Sequence, residues 1–320
     1  MKKILALLLT LTFFTNTVPV WSANISLSQT PSLIRIIIKP GKTVTQNFSL
    51  TNLSDSDKVL NLRLVPFTIA DELGNPNIDP RATSTWLDFL TLDSRSPQFD
   101  QPFTLKAGQS INLGLILNVP LTARLGDYYA AFLAASYANT LNRSFQGSNI
   151  SATLGSNLLI SISTKEDPPA ILKVTDLLPQ HGKYIKLGGL YFLDNITPLY
   201  FTALARNEGE FTATTKGVFK IARGDKTPLD MQSVLPQYVI SKSTRLLGTL
   251  SDTKFRFSPR LKMIGKYSVN LDIRSENANT STQIDIILFP AKALLGTLAT
   301  ALIVLLTLKV IGTRKTKSVS

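Results

Sequence analysis

The chain has 320 residues, 44% of them hydrophobic, with a formal net charge of +13, a single histidine and no cysteine. That supply excludes a disulfide scaffold and a Cys–His nucleophile, and it leaves a zinc centre without ligands. The excess charge forms no basic stripe with interleaved aromatics, so nucleic acid is not an expected partner.

Lys2 and Lys3 followed by the apolar run Ile4 to Phe14 have the form of a secretory signal, and residues 1–23 are expected to be removed after Ser22 or Ala23. From there the hydrophobic period is close to two. The run Leu33 to Ile38 (LIRIII) precedes a Pro40-Gly41 turn, and Val44 to Leu50 and Val59 to Val65 alternate as half-buried strands. Asp71 to Pro80 (DELGNPNIDP) has the composition of a surface loop, and Thr85-Trp86-Leu87 leads into a short apolar segment ending near Leu92. Phe103 to Leu105, Ile111 to Val119, the long apolar Tyr128 to Tyr137 and Leu154 to Ile162 supply further strands, with a polar loop over Ala138 to Asn149. The charged, proline-bearing Lys165 to Pro169 marks a boundary.

The second half repeats the plan. Strand-like segments run over Ile171 to Leu178, Tyr184 to Phe192, Leu199 to Ala205 and Gly217 to Ala222. Another opens at Val234-Leu235-Pro236, and Ser243 to Leu250, Tyr267 to Ile273 and Ile284 to Leu288 complete the set. Two short motifs recur. Leu125-Gly126-Asp127-Tyr128 matches Ile264-Gly265-Lys266-Tyr267, and Thr51-Asn52 and Arg206-Asn207 each end an early strand. A Gly-x-Tyr step opening a late strand is common in immunoglobulin-like sandwiches, where the tyrosine hydroxyl ties back to backbone. The expected fold is therefore all-β: two tandem immunoglobulin-like β-sandwiches, over residues 24–166 and 167–290.

Ala293 to Leu308 contains no charge, and a membrane helix is expected over residues 291–312. Lys309, Arg314, Lys315 and Lys317 follow without an acid, which places the tail, 313–320, in the cytoplasm and the sandwiches outside. Two charges belong to the signal and four to the tail, which leaves +7 on the exterior, a mildly basic surface suited to an anionic envelope.

Candidates for chemistry are few. His181 in PQHGKY would have to serve any Ser-His-Asp triad, no Gly-x-Ser-x-Gly elbow exists, and a solvated turn is its expected place. The candidate carboxylates for a paired mechanism, Asp71-Glu72, Asp88, Asp127 and Glu166-Asp167, lie outside any motif, and the adjacent pairs fall in loops. The chain is read as a non-enzyme with no cofactor and no metal. The candidate binding residues are Asp71, Asn75 and Asn77 in the long loop, Trp86 just after it, and Tyr128. A tryptophan beside polar groups can stack on a sugar ring, and the alternative is burial in the core.

Pro40-Gly41-Lys42-Thr43 before a strand, Phe48 to Asn52 (FSLTN), Leu73-Gly74-Asn75, Phe103 to Gly108, and Val119-Pro120 followed by Gly126 form a recognisable set. In these residues, and in its layout, the first half resembles the peptidoglycan-binding domain of the WxL-interacting proteins of Gram-positive bacteria. The chain lacks that family's Pro-x-Asn-Gln segment and carries Gly126-Asp127-Tyr128-Tyr129 in place of a more glycine-rich step. The resemblance implies a first domain that touches peptidoglycan and a second that docks a surface protein. The sequence thus points to a membrane-anchored envelope binding or scaffold protein. An assembly factor that works by strand addition is one alternative, and a carbohydrate-active enzyme using two carboxylates is another.

Overall fold

The structure is a computed structural model that describes residues 26–94, 97–136, 153–224, 227–276 and 278–317, with side chains through Leu308. The signal segment and the polar loop Ala138 to Asn149 lie outside the described residues. The first sandwich is built from β1 (Leu27–Thr30), β2 (Leu33–Ile38), β3 (Thr43–Asn52), β4 (Lys58–Ile69), β5 (Pro76–Ile78), β6 (Leu90–Leu92), β7 (Pro102–Leu105), β8 (Ser110–Asn118), β9 (Gly126–Ser136) and β10 (Thr153–Ile162). One sheet has the order β1-β3-β8-β6, and the other β2-β10-β9-β4-β5 with β7 also on β4. The chain crosses between sheets at the cis Thr30–Pro31 peptide. β2 then runs parallel to β10, and every other neighbouring pair in this sandwich is antiparallel.

Alternation decides what each strand buries. Leu60 and Leu62 of β4, Ala130, Phe132 and Ala134 of β9, and Leu158, Ile160 and Ile162 of β10 fill the inner core with Phe48 and Leu50 of β3. The opposite faces of these strands are also apolar, with Val65, Phe67, Ala131, Leu133 and Leu159 forming a second cluster outside the sandwich. Pro66 is tolerated within β4 because it falls where the outer partner changes from β7 to β5.

The second sandwich comprises β11 (Leu172–Pro179), β12 (Tyr184–Leu187), β13 (Leu190–Asp194), β14 (Leu199–Asn207), β15 (Ala213–Ala222), β16 (Asp230–Val239), β17 (Thr244–Leu247), β18 (Phe255–Phe257), β19 (Gly265–Arg274) and β20 (Asn279–Phe289). Its sheets are β11-β14-β17, with β18 also on β14, and β12-β13-β20-β19-β15-β16. Phe201, Phe219 and Phe255 form the centre of its core, Phe219 and Phe255 stacked with centroids 4.6 Å apart. Pro236, expected near the start of a strand, lies inside β16, where a bulge opposite Thr215 to Gly217 removes the need for its missing N–H.

The recurring motifs occupy equivalent places. Gly126 and Gly265 open β9 and β19 with φ of 142° and 113°, which a residue bearing a Cβ rarely adopts. Asn52 and Asn207 end β3 and β14 fully buried. The Asn52 amide donates to the carbonyls of Ser56, Leu105 and Lys106, and that of Asn207 to Phe211 and Val239. Each side chain thus ties together carbonyls of its following turn and of a neighbouring strand end.

Several segments depart from the sequence reading: Tyr184 to Phe192 is split at Gly188-Gly189 into β12 and β13, and Leu27–Thr30 is an additional strand. Thr85–Phe89 is a 3-10 turn ahead of β6, residues 76–78 of the expected loop pair with β4, and Phe255–Phe257 is a strand. Three residues are too few to show an alternating pattern. Finally, α1 (Ala291–Lys317) leaves β20 after Pro290 alone. Its first 18 residues have a mean hydropathy of 2.0 and none is buried, so α1 is long and apolar enough to cross a membrane.

Candidate functional site

The outer face of the β2-β10-β9-β4-β5 sheet meets the second sandwich. Ile240 and Tyr238, at the end of β16, pack on Val65, Phe67, Ala131 and Leu159 to form a core shared by both units. Polar contacts frame it. Asp127 accepts hydrogen bonds from the hydroxyls of Ser161 (2.6 Å) and Tyr129 (2.7 Å), from the hydroxyl of Thr212 (2.6 Å) and from the Thr212 N–H. The Ser241 N–H donates to the Tyr129 hydroxyl at 2.9 Å. Burial, and then the negative charge of Asp127, push the Tyr129 phenol well above its ordinary value, so it stays a neutral donor.

On β2, Arg35 leaves the sheet and reaches across. Its guanidinium donates to Glu276 at 2.7 Å, the Thr214 hydroxyl at 2.9 Å and the Thr212 carbonyl at 2.9 Å, and lies over the Tyr238 ring. Desolvation works to raise the Glu276 carboxyl. Hydrogen bonds from Thr214, its own backbone, Arg35 and Ser275 outweigh it and hold the group at about 2. A third contact comes from the long loop: the Leu246 N–H of β17 donates to the Glu72 carbonyl at 2.7 Å. Gly74 (φ 76°) approaches so closely that a Cβ there would lie 1.8 Å from the Arg245 guanidinium.

Beside this junction lies a cleft of about 480 Å³. Phe67, Ile69 and Leu159 form its first wall, Leu235, Tyr238 and Ile240 its second, and Leu33, Asn157, Gln237 and Arg245 its rim. Arg245 donates to Gln237, and among the described residues no carboxylate is within ion-pair distance of it. Desolvation lowers its pKa, against the charge of Asp71, and it remains a cation at neutral pH.

The edge of the sheet at this cleft is β2. Ser32 and Ile38 turn their carbonyls to β10, so the intervening odd residues, Leu33, Arg35 and Ile37, direct N–H and C=O the other way. Among the described residues nothing pairs with that side. Leu33 and Ile37 are exposed, at 41% and 38%.

Of the five residues singled out in the sequence, four form two pairs, one in the long loop and one against the first core. Asp71 accepts from the backbone and side-chain N–H groups of Asn75, and these bonds hold its carboxyl below the ordinary range. Asn77 is exposed on β5. Trp86 is half-buried against the first core with its ring 5.2 Å from Tyr128, whose hydroxyl donates to the Arg124 carbonyl at 2.8 Å, the backbone tie expected of such a tyrosine. Among the described residues no hydrogen bond or ring contact joins the Asp71–Asn75 pair to the Trp86–Tyr128 pair. His181 is exposed in the turn before β12, and no group of three metal-ligating side chains occurs among the described residues. Arg35, Phe67, Tyr129 and Arg245, which carry no signal in the sequence, all lie at the junction, and Asp127, a candidate in the sequence only as one of a carboxylate pair, joins them.

No family model matches the chain, and no curated protein matches it in sequence. Solved structures with a similar outline include the CsuC–CsuE chaperone–tip adhesion subunit complex of Acinetobacter baumannii, at 13% identity over 82% of this chain and 99% of that one, with a TM-score of 0.36. The E. coli chaperone DraB (11%, 82% and 98%, TM-score 0.36) and the class 5 fimbriae chaperone CfaA (9%, 82% and 99%, TM-score 0.40) are two more. At this level of superposition the likeness is one of outline alone.

Proposed function

We propose that the chain is a membrane-tethered binding protein that holds an extended segment of a secreted or surface polypeptide by strand addition at β2. The observation that carries this is the open β2 edge. An edge strand is normally blunted by Lys, Pro, a bulge or a covering loop, because its unpaired backbone is a template for another chain. LIRIII has one charge, Arg35, and that side chain is taken up by the second sandwich. The edge stays open, apolar and beside an apolar cleft. A peptide added there would exchange backbone hydrogen bonds with Leu33, Arg35 and Ile37, and would place alternate side chains beside the exposed Leu33 and Ile37. Arg245 would favour an acidic group on that peptide. The helix α1 would hold the complex at the membrane, where tethering raises effective concentration and permits a weak contact to suffice.

The test uses full chain in lipid nanodiscs and a panel of fluorescent nonapeptides with alternating apolar residues, read by anisotropy. Ile37→Pro removes an outward N–H and leaves the β10 pairing intact. We expect peptide binding that Ile37→Pro weakens by about tenfold, the loss of one to two backbone bonds. Binding that is indifferent to Ile37→Pro overturns the proposal. So does a chain that ignores every peptide but pellets with peptidoglycan sacculi in a manner sensitive to Asn75→Ala or Trp86→Ala, which would support attachment of the first sandwich to wall glycan.

A further inference from the structure

The end of the second sandwich from which α1 departs carries an unusual surface. β20 ends at Phe289, and Gly265 pairs with Leu288, Asp194 with Phe289, and Ala222 with Ser268. The loops before β19, after β13 and after β15 therefore gather around the start of α1. They present Leu261 (67% exposed), Ile264 (51%), Ile196 and Leu229 to solvent. Arg223, Arg260 and Lys262 stand among them, exposed and, among the described residues, without an acidic partner. The nearby acids are engaged: Asp194 pairs with Lys292, Asp285 with Lys266, and Asp230 accepts from Gln232. Asp225 and Lys226 lie outside the described residues.

The loop that carries Leu261 and Ile264 is held in place. Buried Asn195 donates to the carbonyls of Leu261 and Met263, both at 3.0 Å, and its own N–H donates to Phe289 at the end of β20. The Met263 N–H closes a turn on the Arg260 carbonyl. The two exposed apolar side chains are thus a presented feature of a fixed loop.

The connection to α1 sets where this rim lies. Pro290 alone separates β20 from α1, and its carbonyl already accepts the Leu294 N–H. If the uncharged stretch from Ala293 occupies hydrocarbon, Lys292 falls in the headgroup layer, a shell of roughly 5–8 Å on each side of the core. A rim joined through one residue falls there too. Apolar side chains interleaved with cations fit that layer, since the former reach acyl chains and the latter meet lipid phosphates.

We propose that this rim is a bilayer-docking face: Leu261 and Ile264 insert at the interface, and Arg260, Lys262 and Arg223 bind the phosphates of anionic lipids. The proposal rests on α1 crossing the membrane. It predicts a second sandwich that stands fixed on the bilayer and does not swivel on its helix.

The chain has no cysteine, so each introduced one is a unique label site. Full chain is labelled with an environment-sensitive fluorophore at Leu261→Cys, Ile264→Cys, Ile303→Cys in α1, or Leu53→Cys in the turn before β4, at the far end of the first sandwich. It is then placed in nanodiscs containing phosphatidylglycerol and a nitroxide-bearing lipid. We expect quenching at 261 and 264 well above that at 53, falling by about twofold or more in the Arg260→Glu, Lys262→Glu double variant. Labels at 261 and 264 that resemble the one at 53, while 303 is quenched, overturn the docking face and leave the membrane span standing. An unquenched label at 303 overturns both.

Discussion

Replacing Asp127 with alanine tests whether the two sandwiches are locked or merely adjacent. The carboxylate receives four donors: the hydroxyls of Ser161, Tyr129 and Thr212 and the Thr212 N–H. The hydroxyls can rotate toward other acceptors, but the backbone N–H of Thr212, a residue 1% exposed, cannot. An unsatisfied buried N–H costs about 1–3 kcal/mol, and a charge-assisted bond about as much again. We expect a loss of about 3 kcal/mol, or a fall of roughly 6–12 °C in Tm for a unit of this size. Asp127→Asn keeps one acceptor oxygen and should lose about 1 kcal/mol. The assay is thermal unfolding in nanodiscs by near-ultraviolet circular dichroism, run as a double-mutant cycle with Thr212→Val. Contact across the junction requires coupling above about 0.5 kcal/mol, whereas independent sites add. Additive effects, or a loss below about 1 kcal/mol for Asp127→Ala, would refute the reasoning.

Glu276 is held at about 2 against an ordinary 4.5, so its stabilisation is present above pH 4.5 and is lost as pH falls from there toward 2. Glu276→Gln should therefore lower Tm at pH 7 and approach the parent chain's Tm near pH 2.5, as measured by melts across that range. Gly74→Ala places a Cβ in the left-handed region and against Arg245; the cost should exceed about 1 kcal/mol, and hydrogen exchange at the Leu246 N–H should accelerate as the loop lifts. Asn207→Ala strands the carbonyls of Phe211 and Val239 and the Gly209 N–H. A loss of about 2–4 kcal/mol is expected in chemical denaturation, and Asn52→Ala should behave alike in the first sandwich.

Much of the fold could be read directly because half-buried strands alternate. Leu60, Leu62 and Leu64 against Asn61 and Arg63 assign both the strand and its inner face. Gly126 and Gly265, and Asn52 and Asn207, exposed the repeat because each position demands a special residue: a glycine for positive φ, an asparagine for stranded carbonyls. The junction was less legible, although it left a trace. Tyr128 to Tyr137 is apolar on consecutive positions, the pattern of a strand buried on both faces. That run shows a covered second face but not what covers it, so Phe67, Leu159 and the shared core carry no signal of their own. Arg35 and Asp127 carry no local pattern, since their partners across the junction lie 85 to 241 residues away. Trp86 and Tyr128 were legible as aromatic and interesting, but only packing shows that they meet each other.

Repetition and difference together explain how one chain could hold a partner at a fixed height. The two sandwiches share turn glycines and asparagine plugs, yet among the described residues only the first carries a second apolar cluster, and that face takes the end of the second. Asp127, Arg35 and the Glu72–Leu246 bond then fix the angle with three contacts spread around the core. Thr212 and Ile240 lie beside the starts and ends of β15 and β16, opposite the rim at α1. Strands of 10 residues, at about 3.3 Å each, separate the two ends by roughly 30 Å. A rim seated on lipid would therefore raise the β2 edge about that far above the bilayer, clear of headgroups and oriented. An open, unprotected edge is hazardous on a freely diffusing protein, because two copies can pair through it. Fixed on posts of equal height in one plane, edges meet only if their posts can also turn to face each other. Loosening either the rim or the Asp127 junction should then raise self-association in the membrane before it lowers stability, an order that cross-linking of paired variants can establish.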